Sequence, residues 1–196
     1  MTGARQKVGN WPGVTVEKKV GLLQRRGYAI EIIDLPGTYS LTAFSEEERA
    51  ARSFIVDEQP DAVIHVIDSG NLARNLYLTV QLMELGVDLV LDLNMWDEFE
   101  ASDAELDLEK LHRMFGAPVA TTVASRGEGI DRLIDATIDL VEDREEHHRH
   151  VPISYGTHVN DMLRGLVELL DRHGISTGGA PTRWTAIKLL ERDPEV

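Results

Sequence analysis

The sequence has no cysteine, few aromatic residues and no long apolar run. With no cysteine in 196 residues, it cannot form disulfides or thiolate metal sites, and it has no cysteine nucleophile. Aromatic residues make up only 6% of the chain, but 42% of its residues are hydrophobic, which is enough to fill a core and predicts a folded protein. No segment approaches the ~20 consecutive apolar residues of a membrane span, so we expect a soluble chain.

Positive charge is also scarce. There are 34 acidic and 20 basic side chains, a net charge of −14, and the isoelectric point is near 4.8. This balance argues against sequence-independent binding of nucleic acid or of anionic lipid. The length predicts one domain of ordinary size with a smaller appendage.

Strand and helix patterns alternate along the first two-thirds of the chain. The predicted strands are 14–24, 28–33, 61–67, 87–93 and 117–123, and the predicted helices are 45–57, 72–85, 108–114 and 130–142. The helix at 45 begins with a capping box, Ser45 at the N-cap and Glu48 three residues later. Because such alternation builds a parallel sheet between helices, the sequence predicts a doubly wound α/β fold.

The last quarter of the chain changes character. A charged run over 142–150 is followed by two helical patterns, 159–172 and 183–191. We therefore predict three parts: a domain over 1–144, a linker over 145–152 and a small all-helical subdomain over 153–196. The linker's His147, His148 and His150 are interpreted as solvated residues and not as a metal site, because adjacent residues on a helix point about 100° apart.

Polar residues follow the predicted strands where a doubly wound sheet binds its ligands. Asp34 and Gly37 follow the second strand. An Asp there can hold a magnesium-bound water, and a Gly lets its N–H approach a phosphate oxygen. Near the start of the first predicted strand, Thr15 can place its hydroxyl on magnesium. Taken alone, Asp-x-Pro-Gly is also a common turn.

Two further loops point to a nucleotide base. Asn94 and Asp97 follow the strand 87–93, and the Asp97 carboxylate can accept hydrogen bonds from N1–H and N2–H₂ of guanine, which adenine does not offer. The backbone N–H of Ala124 can meet the guanine carbonyl. Each of these two patterns alone also fits a helix N-cap or a glycine-rich turn. Together with the Asp34–Gly37 segment, however, they follow three strands in an order that favours a guanine-nucleotide site.

Three stretches of the chain resemble one known family. Residues 2–19 resemble the first switch of the cytosolic GTPase region of ferrous iron transport protein B, and 34–41 resemble its second nucleotide-sensing segment. Residues 183–191 are similar to the helical domain that follows the GTPase domain in that family. The resemblance covers essentially the whole chain.

The resemblance implies a Ras-like P-loop NTPase fold that binds GTP or GDP with Mg²⁺. It also implies a K⁺ ion held by main-chain carbonyls of the 9–11 segment, here Gly9 and Trp11. In the parent protein this region would lie at the cytoplasmic face of the membrane and regulate an iron-permeating membrane region. Thr15 is the one residue that we consider for a catalytic role. Association of several copies into a homo-oligomer is left open.

The sequence also departs from the family pattern. It contains no Gly-x-x-x-x-Gly-Lys-Ser/Thr, and residues 2–5 resemble the end of the helix that should follow that loop. The first strand, which lies mid-sheet in this architecture, is missing as well. We therefore expect a truncated region, impaired in nucleotide binding. The alternative is an interaction or regulatory fragment that binds no nucleotide.

Two single residues add to these departures. Thr38 stands where Ras-like enzymes carry a water-orienting Gln, so we expect slow hydrolysis. Asp92 lies in an apolar strand without an evident partner.

Overall fold

A computed structural model describes residues 6–11, 17–143 and 153–196. The chain divides into two compact units, Met1–Glu58 and Gln59–Val196, and each is described by itself. Four residues singled out above, Thr15, His147, His148 and His150, lie outside the described residues.

The first unit is built on an antiparallel sheet in the order β1-β2-β3. Its strands are β1 (Gln6–Asn10), β2 (Glu17–Arg25) and β3 (Tyr28–Asp34), followed by the helix α1 (Glu46–Glu58). The β2–β3 hairpin closes through Arg26 and Gly27, with φ values of 51° and 87°. Two consecutive positive φ angles are the mark of a type I′ turn, whose twist matches that of the strands.

The start of α1 follows the predicted capping box. The Ser45 hydroxyl accepts the Glu48 N–H at 3.1 Å. In return, a Glu48 carboxylate oxygen accepts the N–H groups of Phe44 at 2.9 Å and Ser45 at 3.4 Å. These bonds satisfy backbone donors that the first turn of a helix leaves free.

The core of the first unit forms around Trp11, which is buried. Its ring meets Phe54 edge-on, with 5.2 Å between centroids, and the Lys18 ammonium lies 4.8 Å from the Trp11 ring centroid. Leu41, Ala51 and Ile55 are also buried.

The second unit contains a parallel sheet in the order β4-β5-β6. Its strands are β4 (Val63–Asp68), β5 (Leu89–Asn94) and β6 (Val119–Thr121), and its helices are α2 (Leu72–Glu84), α3 (Trp96–Glu100), α4 (Leu108–Phe115) and α5 (Ile130–Glu142). The first five residues of β5 are buried, as expected for a central strand covered on both faces. A hydrophobic cluster joins the sheet to α5 through Val90, Ala120, Leu133 and Leu140.

Two helices complete this unit, α6 (Thr157–His173) and α7 (Thr182–Glu191). They pack together through a cluster that includes Leu163, Leu170 and Ala186. A bidentate ion pair between Arg183 of α7 and Glu84 of α2, with N···O distances of 2.9 and 3.1 Å, ties the helical pair to the α/β part.

The predicted α/β fold with a parallel sheet and a helical C-terminal part is confirmed. The structure adds that the described strands form two separate three-stranded sheets, one of them antiparallel. It also adds β1 and the five-residue α3, which the sequence did not predict. The proposed limits 1–144, 145–152 and 153–196 stay a prediction. Within the described ranges, no helix is both long and apolar enough to cross a membrane.

Candidate functional site

The end of β5 is fixed to its neighbours by hydrogen bonds. Asn94 is the last residue of the strand and pairs with Asp68 of β4, and its carbonyl accepts the Ser69 hydroxyl at 2.6 Å. Met95 turns the chain with a φ of 59°, and the Trp96 N–H at the start of α3 donates to the Thr122 carbonyl at 3.1 Å. The start of α3, which carries Asp97, is therefore anchored to the residue that follows β6.

The Asn94 side chain joins the two candidate base-reading loops. Its Oδ1 accepts the Ala124 N–H at 3.0 Å and lies 3.3 Å from the Thr122 hydroxyl. The same hydroxyl lies 2.7 Å from Oδ1 of Asp92. The fold thus brings Asn94 and Ala124 into contact, although 30 residues separate them. It also directs the Ala124 N–H, predicted to meet a base carbonyl, at a side chain of the protein.

The Asp97 carboxylate forms an ion pair with the Arg126 guanidinium. The two side chains are 33% and 56% exposed, and Arg126 also lies 3.7 Å from Glu128. An ion pair this exposed is worth only about 0–1 kcal/mol. A ligand that offers the carboxylate two aligned N–H donors is therefore able to replace the arginine.

The loop after β6 is tightly built around Gly129. Val123 and Glu128 exchange backbone hydrogen bonds of 3.1 and 3.2 Å, which close the loop over the 3₁₀ turn Ala124–Arg126. Gly129 has a φ of 79°, and a Cβ there would collide with the Thr121 carbonyl oxygen. The glycine-rich turn therefore has a structural role that holds Ala124 in place.

Two buried titratable groups lie in the strands behind this loop. Burial raises the pKa of Asp92, against the opposing effect of its hydrogen bond from Thr122, and only 1% of the residue is exposed. Burial lowers the pKa of His65 to about 4, and its Nδ1 lies 3.0 Å from the Thr79 hydroxyl. Thr79 is fully buried, so His65 is a hydrogen-bonded core residue.

In the first unit, Asp34 ends β3, opposite Lys19 of β2, and its side chain is exposed. Gly37 is also exposed, with open space where a Cβ would stand. Gly9 lies in β1 opposite Lys18, and Trp11 is buried. The roles predicted for these residues toward Mg²⁺, K⁺ and phosphate stay predictions, as does that of Thr15.

The segment after Gly37 is tied down by Glu48. Its carboxylate accepts the Ser40 hydroxyl at 2.6 Å and the Thr42 hydroxyl at 3.2 Å, in addition to the capping bonds. Burial alone would raise the pKa of Glu48, but these hydrogen bonds together lower it. The segment is thus held to the first turn of α1 by a carboxylate that favours its charged form.

The sequence pointed to some residues of this site and missed others. Asp92 was visible as a carboxylate in an apolar strand, but its partner Thr122 was not, because the contact spans 30 residues. Arg126 and Ser69 gave no signal, since only the strand order brings them to Asn94 and Asp97. In the described parts of the chain, no group of three or more His, Asp or Glu side chains forms a metal cluster.

Comparison with known proteins identifies the family. The family described as "Ferrous iron transport protein B" matches residues 1–137. The chain belongs to this family. The "FeoB cytosolic helical domain" matches residues 155–196, so the FeoB relationship extends to α6 and α7.

Individual relatives agree with this assignment. A Porphyromonas gingivalis "Fe(2+) transport protein A/Fe(2+) transporter FeoB fusion protein" is 43% identical over 196 residues, which cover 100% of this chain and 23% of that protein. The cytosolic domain of the T. maritima FeoB iron transporter in GDP form II gives a TM-score of 0.92 at 35% identity, over 99% of this chain and 75% of that one. Its GMPPNP form gives 0.89 at 34% identity, over 100% and 75%. The chain therefore spans less than a quarter of the length of the Porphyromonas gingivalis relative.

Proposed function

We propose that this chain is the guanine-nucleotide-reading, regulatory GTPase region of a ferrous iron transporter. The observation that carries the proposal is the constellation at the ends of β5 and β6. There, Asn94 bonds to Ala124 while Asp97 stands at the start of α3, within reach of the same loop. Solved relatives named for their GDP and GMPPNP forms share this fold.

Guanine selectivity would come from Asp97. A carboxylate accepts from both N1–H and N2–H₂ of guanine, whereas adenine has no N1–H and leaves a charged group without a donor. Asn94 would hold the two loops at the spacing that the base requires. Ala124 would offer its N–H to the guanine carbonyl once the bond to Asn94 is shared or exchanged.

The remaining predicted residues would sense the phosphates and the metal ion. Asp34 presents an exposed carboxylate, an oxygen ligand suited to a magnesium-bound water, and Gly37 leaves its N–H accessible to a γ-phosphate oxygen. Thr15 would supply a hydroxyl to Mg²⁺. Main-chain carbonyls near Gly9 and Trp11 would hold K⁺.

In a full-length transporter, this region would act from the cytoplasmic face of the membrane on the iron-permeating part. The helical pair would provide the link, because Arg183 of α7 donates two hydrogen bonds to Glu84 of α2. A movement of α2 would therefore be transmitted to α7. Copies of the parent protein would also be able to associate into a homo-oligomer.

Titration of the 196-residue chain with fluorescent GDP, with Mg²⁺ and K⁺ present, tests the proposal. Because the sequence contains no Gly-x-x-x-x-Gly-Lys-Ser/Thr, we expect weakened but detectable binding that excess GDP reverses and excess ADP does not. Asp97→Ala should weaken it further by about a hundredfold, the value of two hydrogen bonds to a charged group that is partly solvated. Glu109→Ala, an exposed carboxylate on α4, is the matched control. A folded chain that binds no GDP at millimolar concentration would favour the interaction fragment instead.

The Arg126 ion pair gives a second arm of the same experiment. Because Arg126 occupies the carboxylate that guanine needs, Arg126→Gln should tighten GDP binding by a few-fold, the value of an exposed ion pair. Arg113→Gln, which removes an exposed arginine paired with Glu109 on α4, should leave binding unchanged. Equal weakening by Arg126→Gln and Asp97→Ala would mean that the arginine itself contacts the nucleotide.

A further inference from the structure

Asp92 is a buried carboxylate that the proposed function leaves without a role. It lies in the middle of β5, where its strand neighbours are Val66 and Ala120, and 1% of it is exposed. Its hydrogen bond is to the Thr122 hydroxyl at 2.7 Å. We propose that Asp92 is a positioning residue of the candidate guanine site, which orients the Asn94 side chain through the Thr122 hydroxyl. The inference rests on the proposed function for the identity of the ligand.

The orientation of the Asn94 amide is fixed by one contact. Its Oδ1 lies 3.0 Å from the Ala124 nitrogen, and an N–H donor requires an acceptor at that place. If the amide were turned over, its NH₂ group would face the Ala124 N–H, donor against donor. The oxygen that faces Thr122 is therefore an acceptor too.

Counting hydrogens then favours one protonation state of Asp92. The Thr122 hydroxyl has one hydrogen and two oxygen neighbours, Asp92 at 2.7 Å and Asn94 at 3.3 Å. With Asp92 ionised, the hydrogen points to the carboxylate, and the oxygens of Thr122 and Asn94 face each other without one. With Asp92 protonated, Asp92 donates to Thr122, and Thr122 donates to Asn94. The geometry therefore favours a neutral Asp92 at the head of a chain of donors.

The surroundings of Asp92 agree with a neutral acid. Burial is the largest cause of its raised pKa, and the hydrogen bond from Thr122 opposes it. Among the elements packed against β5, β6 has no titratable residue. On the other two elements, the charged or titratable residues are His65 and Asp68 of β4 and Asp131, Arg132, Asp135, Asp139 and Glu142 of α5. Burial is therefore the effect that supports the neutral form of Asp92.

Thr122 connects this chain of donors to both loops of the site. Its N–H donates to the Leu93 carbonyl at 2.9 Å, and its own carbonyl accepts the Trp96 N–H at 3.1 Å. Without a donor at Asp92, the Thr122 hydroxyl can rotate, and its hydrogen is no longer held toward Asn94. The Asn94 amide would then be held less firmly, while the backbone bonds of Thr122 and the strand pairing remain.

Four single variants separate positioning from mere packing. Asp92→Asn keeps a neutral donor to Thr122, and Asp92→Ala removes it. Thr122→Ser keeps the hydroxyl, and Thr122→Val removes it at nearly the same volume. The first readout is the amide NMR signal and hydrogen-exchange protection of Ala124, which need no nucleotide. The second is affinity for fluorescent GDP.

We expect Asp92→Asn and Thr122→Ser to match the wild type in both readouts. Thr122→Val should shift the Ala124 amide signal, lower its protection and weaken GDP binding by about tenfold, the value of one lost hydrogen bond. Asp92→Ala should change all three in the same direction by a smaller amount, because the Thr122 hydroxyl remains. Infrared spectra of the wild type at pH 7 should show a carboxylic acid C=O band that is absent from Asp92→Asn.

Three results would overturn the inference. The first is a wild-type Ala124 signal in both Asp92→Ala and Thr122→Val. The second is Asp92→Asn behaving like Asp92→Ala, which would mean that the charged carboxylate is the required form. The third is the lack of an acid band. If the wild type binds no GDP, the proposed function fails, while the Ala124 signals still decide whether Asp92 positions Asn94.

Discussion

Replacing Arg183 by methionine is expected to destabilise the second unit, because it leaves a buried carboxylate without its cation. Glu84 has a side chain that is 6% exposed, and Arg183 is 34% exposed. The guanidinium makes two hydrogen bonds to Glu84, and a third, of 2.7 Å, to the Ile153 carbonyl. Beside them, burial and then the negative charge of Glu84 raise the pKa of Tyr155 to about 12.

The magnitude follows from the exposure of the two partners. Removing one partner of a fully buried ion pair costs about 3–5 kcal/mol. Since Arg183 is one-third exposed, water can reach the place it leaves, and we expect the free energy of unfolding to fall by about 2–3 kcal/mol. With a urea dependence of about 1–3 kcal/mol per molar, the unfolding midpoint should fall by about 1 M.

The assay is urea unfolding followed by the fluorescence of Trp184, which is buried in α7. Replacing Trp11 and Trp96 by phenylalanine in every variant leaves Trp184 as the one tryptophan of the three in the sequence. The matched control is Arg164→Met on α6, where the ion pair with Asp161 is 69% and 56% exposed. That control should stay within about 0.5 kcal/mol of the parent.

A double variant tests the electrostatic reason directly. Glu84→Met combined with Arg183→Met removes both charges, so it should be more stable than Arg183→Met alone, since no buried charge is left unpaired. If Arg183→Met and Arg164→Met had equal midpoints, the ion pair would contribute nothing to the stability of the helical pair. If the double variant were the less stable one, lost packing and not lost pairing would explain the result.

Two further predictions concern the strands behind the site. Because the pKa of His65 falls from 6.5 to about 4, the unfolded chain binds a proton that the folded chain does not. The free energy of unfolding should therefore drop as the pH falls from about 6.5 to 4, and His65→Gln should remove about 3 kcal/mol of that drop. Urea titrations of both proteins at several pH values measure it, and equal pH dependence in the wild type and the variant would refute the prediction. Gly129→Ala should lower the thermal midpoint, because its Cβ collides with the Thr121 carbonyl, whereas Gly165→Ala, with open space around it, should raise or keep it.

Local signals in the sequence were sufficient for much of the fold. The Ser45 capping box and the apolar periodicity of α5 each act over a few residues, and each was predicted within a residue or two. The strand β1 was missed because Gln6–Asn10 shows no alternation of polar and apolar residues. The helix α3 was missed because five residues are too short for a periodic pattern to emerge.

The site itself was only partly predictable, for a different reason. Asn94, Asp97 and Ala124 follow strands, so a parallel sheet necessarily brings them to one edge. The Arg126 ion pair with Asp97 and the Arg183 ion pair with Glu84 join residues 29 and 99 positions apart. No local pattern selects those partners from the many charged residues of the chain. The separation of the described strands into two sheets likewise depends on pairing and not on strand propensity.

The measurement that tests the central claim most directly is a change of base preference by one substitution. Xanthine carries a carbonyl where guanine has its 2-amino group, so an amide at position 97 can donate to that carbonyl and still accept from N1–H. In competition against fluorescent GDP, the wild type should prefer GDP over xanthosine diphosphate by about a hundredfold, and Asp97→Asn should reverse the order. Equal weakening of both nucleotides by Asp97→Asn, or no change in either, would contradict the claim that Asp97 reads guanine.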